Sequence, residues 1–141
     1  MKVVLQRYNQ WERPIRKALE LRPREDVFWQ ALLGMKVPQE AIDRIKIVIE
    51  FRDMIPHGAM GVEGDNEFRI YLRSFGSANT FNETVAHELK HIAIEILKPH
   101  KFRTDGKSKG PYKWEELDCT RAEKKWGKLE YFEVLTTGEN E

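Results

Sequence analysis

Thr80-Phe81-Asn82-Glu83-Thr84-Val85-Ala86-His87-Glu88-Leu89-Lys90-His91-Ile92-Ala93-Ile94-Glu95-Ile96-Leu97 is the stretch whose reading decides the fold. Thr80 and Glu83 have the spacing of a capping box ahead of an apolar run, and Pro99 stands just past the far end, so the stretch predicts one long helix. Val85, Leu89, Ile92 and Ile96 fall on one stripe, and Ala86, Ala93 and Leu97 widen it around the side. A helix apolar on more than one side belongs at the centre of a domain, packed between layers.

Outward from this helix, the pattern changes on both sides. Phe68, Ile70 and Leu72 alternate with Arg69, Tyr71 and Arg73, and Gly64-Asp65-Asn66 reads as a turn, so residues 59–73 predict a hairpin. Ile45, Ile47, Ile49 and Phe51 alternate with Lys46, Val48 and Glu50, the pattern of a half-buried strand. Gln39 to Asp43 fits either an extension of that strand or a helical turn. Further back, Ile15, Ala18, Leu19 and Leu21 follow Pro14 and precede Pro23, which predicts a helix; Val27, Phe28, Ala31 and Leu32 before Gly34 predict another. Residues 1–38 therefore read as a helical N-terminal extension. On the C-terminal side, residues 98–113 hold Pro99, Gly106, Gly110 and Pro111 and six Lys or Arg against Asp105 alone, a flexible basic loop. A last helix opens near Trp114, with Cys119, Ala122, Trp126 and Leu129 on one stripe.

The composition of the whole chain narrows the classes. With 141 residues there is room for one domain, residues 1–141. Hydrophobic residues are 40% and charged residues 33%, and the mean hydropathy of −0.63 describes a globular chain, neither disordered nor fibrous. No apolar run reaches the roughly 20 residues of a membrane helix. Lys2 to Leu5 gives way to Gln6-Arg7 too soon for the apolar core of a secretion signal. A single cysteine, Cys119, leaves no internal disulfide, as expected of a cytoplasmic protein. Lys plus Arg number 24 and Asp plus Glu 23, so net charge selects no partner. The basic loop supports nucleic-acid binding only weakly, because Phe102 and Tyr112 are its sole aromatic residues.

The chemistry is carried by His87-Glu88-Leu89-Lys90-His91, an HExxH pattern inside a helix. Two His four residues apart share a helical face and reach one zinc ion at about 2.0–2.1 Å. Glu88 projects about 100° around from His87, beside the metal, where it can act as general base on a metal-polarised water and then as general acid. A catalytic zinc wants a third protein ligand and one open position. The residue six beyond His91 is Leu97, so the HExxHxxGxxH arrangement is absent, and His100 lies across Pro99. Better donors are Glu115 and Glu116, at the start of the next helix. Glu115 heads the apolar stripe; Glu116 has the small Cys119 at i+3 and Thr120 at i+4, which leaves room for close approach. Glu116 is preferred, with Glu115 the alternative.

His87, Glu88 and His91 on one helix, with Glu116 on a following helix, resemble the gluzincin group of zinc metallopeptidases, and the size resembles a minimal member, a minigluzincin. The run from Glu116 through Cys119 to Glu123 is similar to the glutamate helix of that group, and Phe68 to Leu72 resembles its peptide-binding edge strand. The resemblance implies an α+β zincin-like fold: a small, mainly antiparallel sheet, a central HExxH helix and a following glutamate helix. It implies a zinc metalloendopeptidase acting on a protein or peptide substrate, with Glu88 catalytic and His87, His91 and Glu116 on zinc. Many gluzincins carry an Asp four residues after the Glu ligand, and this chain does not. Asp118, Thr120 or a backbone carbonyl would then orient a ligand histidine, and Tyr112, Tyr131 or His100 would serve the oxyanion. The alternative expectation is a latent or inactive zinc-binding domain used as a protein- or nucleic-acid-interaction module.

Overall fold

The computed structural model describes residues 1–6, 21–52, 56–73, 78–100 and 111–134. In chain order the elements are β1 (Lys2–Gln6), β2 (Leu21–Pro23), α1 (Glu25–Gly34), α2 (Gln39–Arg44), β3 (Lys46–Arg52), β4 (Gly58–Gly64), β5 (Glu67–Arg73), α3 (Ala78–Leu97), α4 (Glu115–Trp126) and β6 (Phe132–Val134). The expected helix around Pro14 to Leu19, the interior of the basic loop and the tail from Leu135 lie outside the described residues.

Alternation does what it should in β3 and β5. Ile47, Ile49 and Phe51 stand on one face of β3, and Phe68, Ile70 and Leu72 on the same face of β5; all six are buried. Register aligns them in rows across the sheet: Val3, Ile47 and Phe68, then Leu5, Ile49 and Ile70, then Phe51 and Leu72. Each such side chain taken from water contributes about 1.5–3 kcal/mol. Over these rows lies α3, whose Val85, Ala86, Leu89, Ile92 and Ala93 are buried, and α1 adds Val27, Phe28, Ala31 and Leu32. Glu25 and Asp26 in the first turn of α1 complement its dipole.

Sheet direction differs from expectation. The order is β1-β3-β5-β4, with β1 parallel to β3, β3 parallel to β5, and only β4 antiparallel to β5. The architecture is α+β with a small mixed sheet rather than a mainly antiparallel one. Alternation reveals which face is buried and is silent on direction, and β4, though it follows β3 in sequence, stands beyond β5 rather than beside β3. The hairpin β4–β5 forms as expected, around Asp65 and Asn66, with Asn66 in the left-handed region (φ 60°) that asparagine tolerates. Phe68 to Leu72 is therefore an interior strand, and the edge is β4.

The N-terminal segment is not simply a helical extension. Lys2–Gln6 is an outer strand of the main sheet, and Leu21–Pro23 pairs antiparallel with β6. The central helix opens at Ala78, two residues before Thr80, and α4 ends at Trp126, short of Leu129. Gln39–Arg44 is helical. Among the described residues no helix is long and apolar enough to cross a membrane.

Candidate metal centre

His87 and His91 sit mid-way along α3, on the same face, with ring centroids 5.1 Å apart. α4 runs antiparallel beside them, so its first turn lies against His91 and its third against His87. Antiparallel packing sets the register: Glu115 and Glu116 meet the later histidine, and Glu123, two turns on, meets the earlier one.

The Nε2 atoms of the two rings converge on one carboxylate. His87 Nε2 is 2.6 Å from Glu116 Oε1, and His91 Nε2 is 3.3 Å from Glu116 Oε2. The Nδ1 atoms point the other way, each to its own glutamate: His87 Nδ1 to Glu123 Oε1 at 2.8 Å, His91 Nδ1 to Glu115 Oε2 at 2.5 Å. An ionised carboxylate only accepts, so a proton on Nδ1 of each ring satisfies Glu123 and Glu115 and would free both Nε2 atoms for a metal beside Glu116. The Nε2 atoms both face Glu116. A carboxylate behind each imidazole fixes its tautomer and rotation and raises its basicity as a ligand. Two imidazole nitrogens and a carboxylate oxygen are a donor set that suits zinc; ligand atoms about 2.0–2.1 Å from one tetrahedral centre stand about 3.3 Å apart, the separation of His91 Nε2 from Glu116, whereas His87 Nε2 is in hydrogen-bond contact with Glu116 at 2.6 Å.

Glu115, the alternative third ligand, is thus behind His91, away from Nε2. It is buried to 2% exposure, whereas the Glu116 side chain is 66% exposed at the outer rim. Glu115 is doubly held: its Oε1 faces His100 Nε2 at 2.5 Å and accepts the Tyr112 backbone N–H at 3.2 Å. Burial pushes its carboxyl up, but hydrogen bonds from His100 and His91 outweigh that and leave it below the usual carboxylate value. His100 in turn hydrogen-bonds Glu95 through Nδ1. Burial alone would lower His100, yet Glu115 and Glu95 raise it above the ordinary imidazole value. Glu95, His100, Glu115, His91, Glu116, His87 and Glu123 form one chain in which carboxylates and imidazoles alternate.

Glu88 stands apart from this chain. It is buried, and burial pushes its carboxyl up to about 7; His91 and His87 oppose the shift, and Glu116 and Glu123 add to it. A carboxyl at that value exchanges protons readily near neutrality. Its side chain lies against the start of β4 at Gly58, where a Cβ would come within 2.4 Å of Thr84 Cγ2 and 2.8 Å of the Tyr71 carbonyl. Glycine there lets the edge strand approach α3 beside Glu88. Cys119 is fully buried below the histidines, its thiol within 4.8 Å of donor atoms on both. Burial, then Glu115, Glu116 and Glu88, raise that thiol far above its ordinary value.

No family model, curated protein or solved structure matches the chain. The geometry therefore stands alone.

The remaining expected roles fall elsewhere. Asp118 pairs with Arg121 at 3.3 Å, and the Thr120 hydroxyl donates to the Glu116 carbonyl, so neither orients a histidine. Tyr131 is fully buried and its hydroxyl donates to the Trp126 carbonyl at 3.0 Å. The Tyr112 hydroxyl donates to the Lys98 and Pro99 carbonyls, and its ring stacks between His100 and Trp114. His100 is committed to two glutamates. None of these three faces the pair of Nε2 atoms. Sequence reasoning missed Glu123 and Glu95 as orienting groups, though both had a signal: Glu123 is seven beyond Glu116 and Glu95 four beyond His91, each on the face already in use.

Proposed function

We propose that the chain is a zinc-dependent metallopeptidase of the HExxH-plus-glutamate kind, working in the cytoplasm on protein or peptide substrates. The observation that carries this reading is the convergence of His87 Nε2 and His91 Nε2 on the Glu116 carboxylate, with a separate glutamate behind each ring. His87, His91 and Glu116 would hold the ion. Zinc bound by them supplies Lewis acidity toward a water and a peptide carbonyl.

The chain's own residues do the rest. Glu88, poised near neutrality, takes a proton from the water as its oxygen attacks the carbonyl carbon. It then passes that proton to the nitrogen as the C–N bond breaks, so the amine leaves neutral. Glu115 and Glu123 keep the imidazoles turned. Among the described residues β4 is an edge strand, whose outer backbone groups suit an extended peptide added as a further strand, and Gly58 brings that edge beside Glu88.

The test is elemental analysis of the purified protein, followed by digestion of a peptide library. One zinc per chain and metal-dependent cleavage are expected. No zinc after purification without chelator, and none on adding it back, would overturn the reading. Cys119 favours a second reading, a closed zinc site in an interaction module, because four protein ligands leave no open position. A cobalt–thiolate charge-transfer band in the cobalt-substituted protein would support that alternative.

A further inference from the structure

Helix α1 ends in a complete Schellman motif. Val37 N–H donates to the Leu32 carbonyl and Lys36 N–H to the Leu33 carbonyl, both at 3.1 Å, with Val37 and Leu32 both buried. The position between them needs a left-handed backbone and is ordinarily glycine. Here it is Lys36, at φ 74°. An L side chain at such a φ is strained, and strain of this sort is kept where something else requires the side chain.

The Lys36 side chain lines a cleft of about 300 Å³ between the end of α1 and the α3–α4 pair. Lys90 of α3 and Arg121 and Lys125 of α4 line it too, against a single carboxylate among the described residues, Asp118. That is a strong local excess in a chain of net charge +1. Asp118 holds the Arg121 guanidinium at 3.3 Å, and Lys125 stands over the Trp126 ring, 5.2 Å from its centroid. Lys36 and Lys90 have no carboxylate partner among the described residues. The cleft is also preformed. The Trp126 ring fills the space over Gly34, where a Cβ would meet it at 2.2 Å, so the end of α1 is seated directly on α4. None of these side chains belongs to the alternating glutamate–histidine chain, which occupies another face of α4.

We infer that this cleft is a binding site for the phosphate group of a small phosphorylated ligand, with Lys36, Lys90 and Arg121 as the anion's donors. A guanidinium aligned by a carboxylate offers two parallel N–H groups to phosphate oxygens, and the lysines add point charges. The concave shape suits a small ligand rather than a polymer backbone.

The experiment titrates the full-length protein with inorganic phosphate, pyrophosphate and ADP, following calorimetry and the Trp126 indole N–H resonance. Saturable binding that weakens with added salt is expected. Tighter binding of ADP than of pyrophosphate would assign the group to an ester, the reverse order to a free anion. Lys36→Gly and Lys90→Gln should each weaken binding roughly tenfold. Lys36→Gly should at the same time raise the melting temperature by a few degrees, since it relieves the left-handed strain, so its loss of binding cannot come from misfolding. Glu116→Ala should bind the anions normally. No saturable response, unchanged affinity in both lysine variants, a response to duplex oligonucleotide alone, or loss in Glu116→Ala with retention in Lys36→Gly would each overturn the assignment; the last would put the anion on a metal.

Discussion

The two faces of α4 carry opposite charge and are built on opposite rules. On one, Glu115, Glu116 and Glu123 meet His91 and His87, and each imidazole nitrogen already has an oxygen within 3.3 Å. On the other, Arg121 and Lys125 face Lys36 and Lys90 across a cleft where cations outnumber acids. The first face spends its hydrogen-bonding capacity internally, which fixes geometry. The second leaves it available, which is what a recognition surface needs. A mutually satisfied network is costly to disturb because removing any member leaves a partner unsatisfied; exposed cations are cheap to remove one at a time.

The largest effect expected from breaking the first face is kinetic. Glu88→Gln should lower peptide hydrolysis by about 10²–10⁴ while zinc content stays at one per chain. Undiminished turnover in that variant would remove Glu88 from the proton path. Next come the orienting groups. Glu115→Gln and Glu123→Gln should each weaken zinc binding by about 10–100-fold, and Glu116→Ala by more than either. If Glu115→Gln were the most damaging in competition with a chelating dye, the ligand and the orienting residue would have to be exchanged.

Metal removal sharpens the contrast in another way, because zinc would tie α3 to α4 across this face alone. At free zinc about 100-fold above the dissociation constant, linkage adds about 2.7 kcal/mol, so chelation should lower the melting temperature by several degrees. Glu116→Ala should show no such response. The smallest effect concerns His100. Its folded value is raised above 6.5, so the stability from its contacts with Glu115 and Glu95 is fully present below pH 6.5 and is lost as pH rises through the raised value. Between mildly acid and mildly alkaline pH, wild type should therefore lose more stability than His100→Gln in chemical denaturation; equal slopes would contradict this.

Periodicity made some of this molecule legible and hid the rest. The helix carrying His87-Glu88-Leu89-Lys90-His91, the hairpin around Asp65-Asn66 and the helix bearing Glu116 are local, set by spacing of three or four residues or by alternation, and they were readable. Strand direction was not, since Ile47, Ile49 and Phe51 would look the same in either orientation. Nor was the ring nitrogen that each of Glu115 and Glu116 faces. The two differ by about 100° of rotation on α4, and only the register of α4 against α3 turns one toward Nε2 and the other toward Nδ1. The identity of the edge strand depended on sheet order, a property of long-range pairing. Lys36 was invisible for a related reason: Gly34 lies nearby and reads as the helix stop, whereas the left-handed turn falls two residues later.

β4 has one more consequence. An unpaired strand edge is a template for any other edge, including that of a second copy, and proteins ordinarily guard such edges. Here the guard is conformational: Gly58, Gly61 and Gly64 make β4 a poor strand former with little side chain to offer. Self-recruitment into ribbons is discouraged, because pairing to so weak a strand pays back little of the entropy it consumes. A guest anchored elsewhere at the same time can still be accepted. The glycines thus act as a filter on company, admitting whatever has a second hold on the molecule and turning away what has only a backbone.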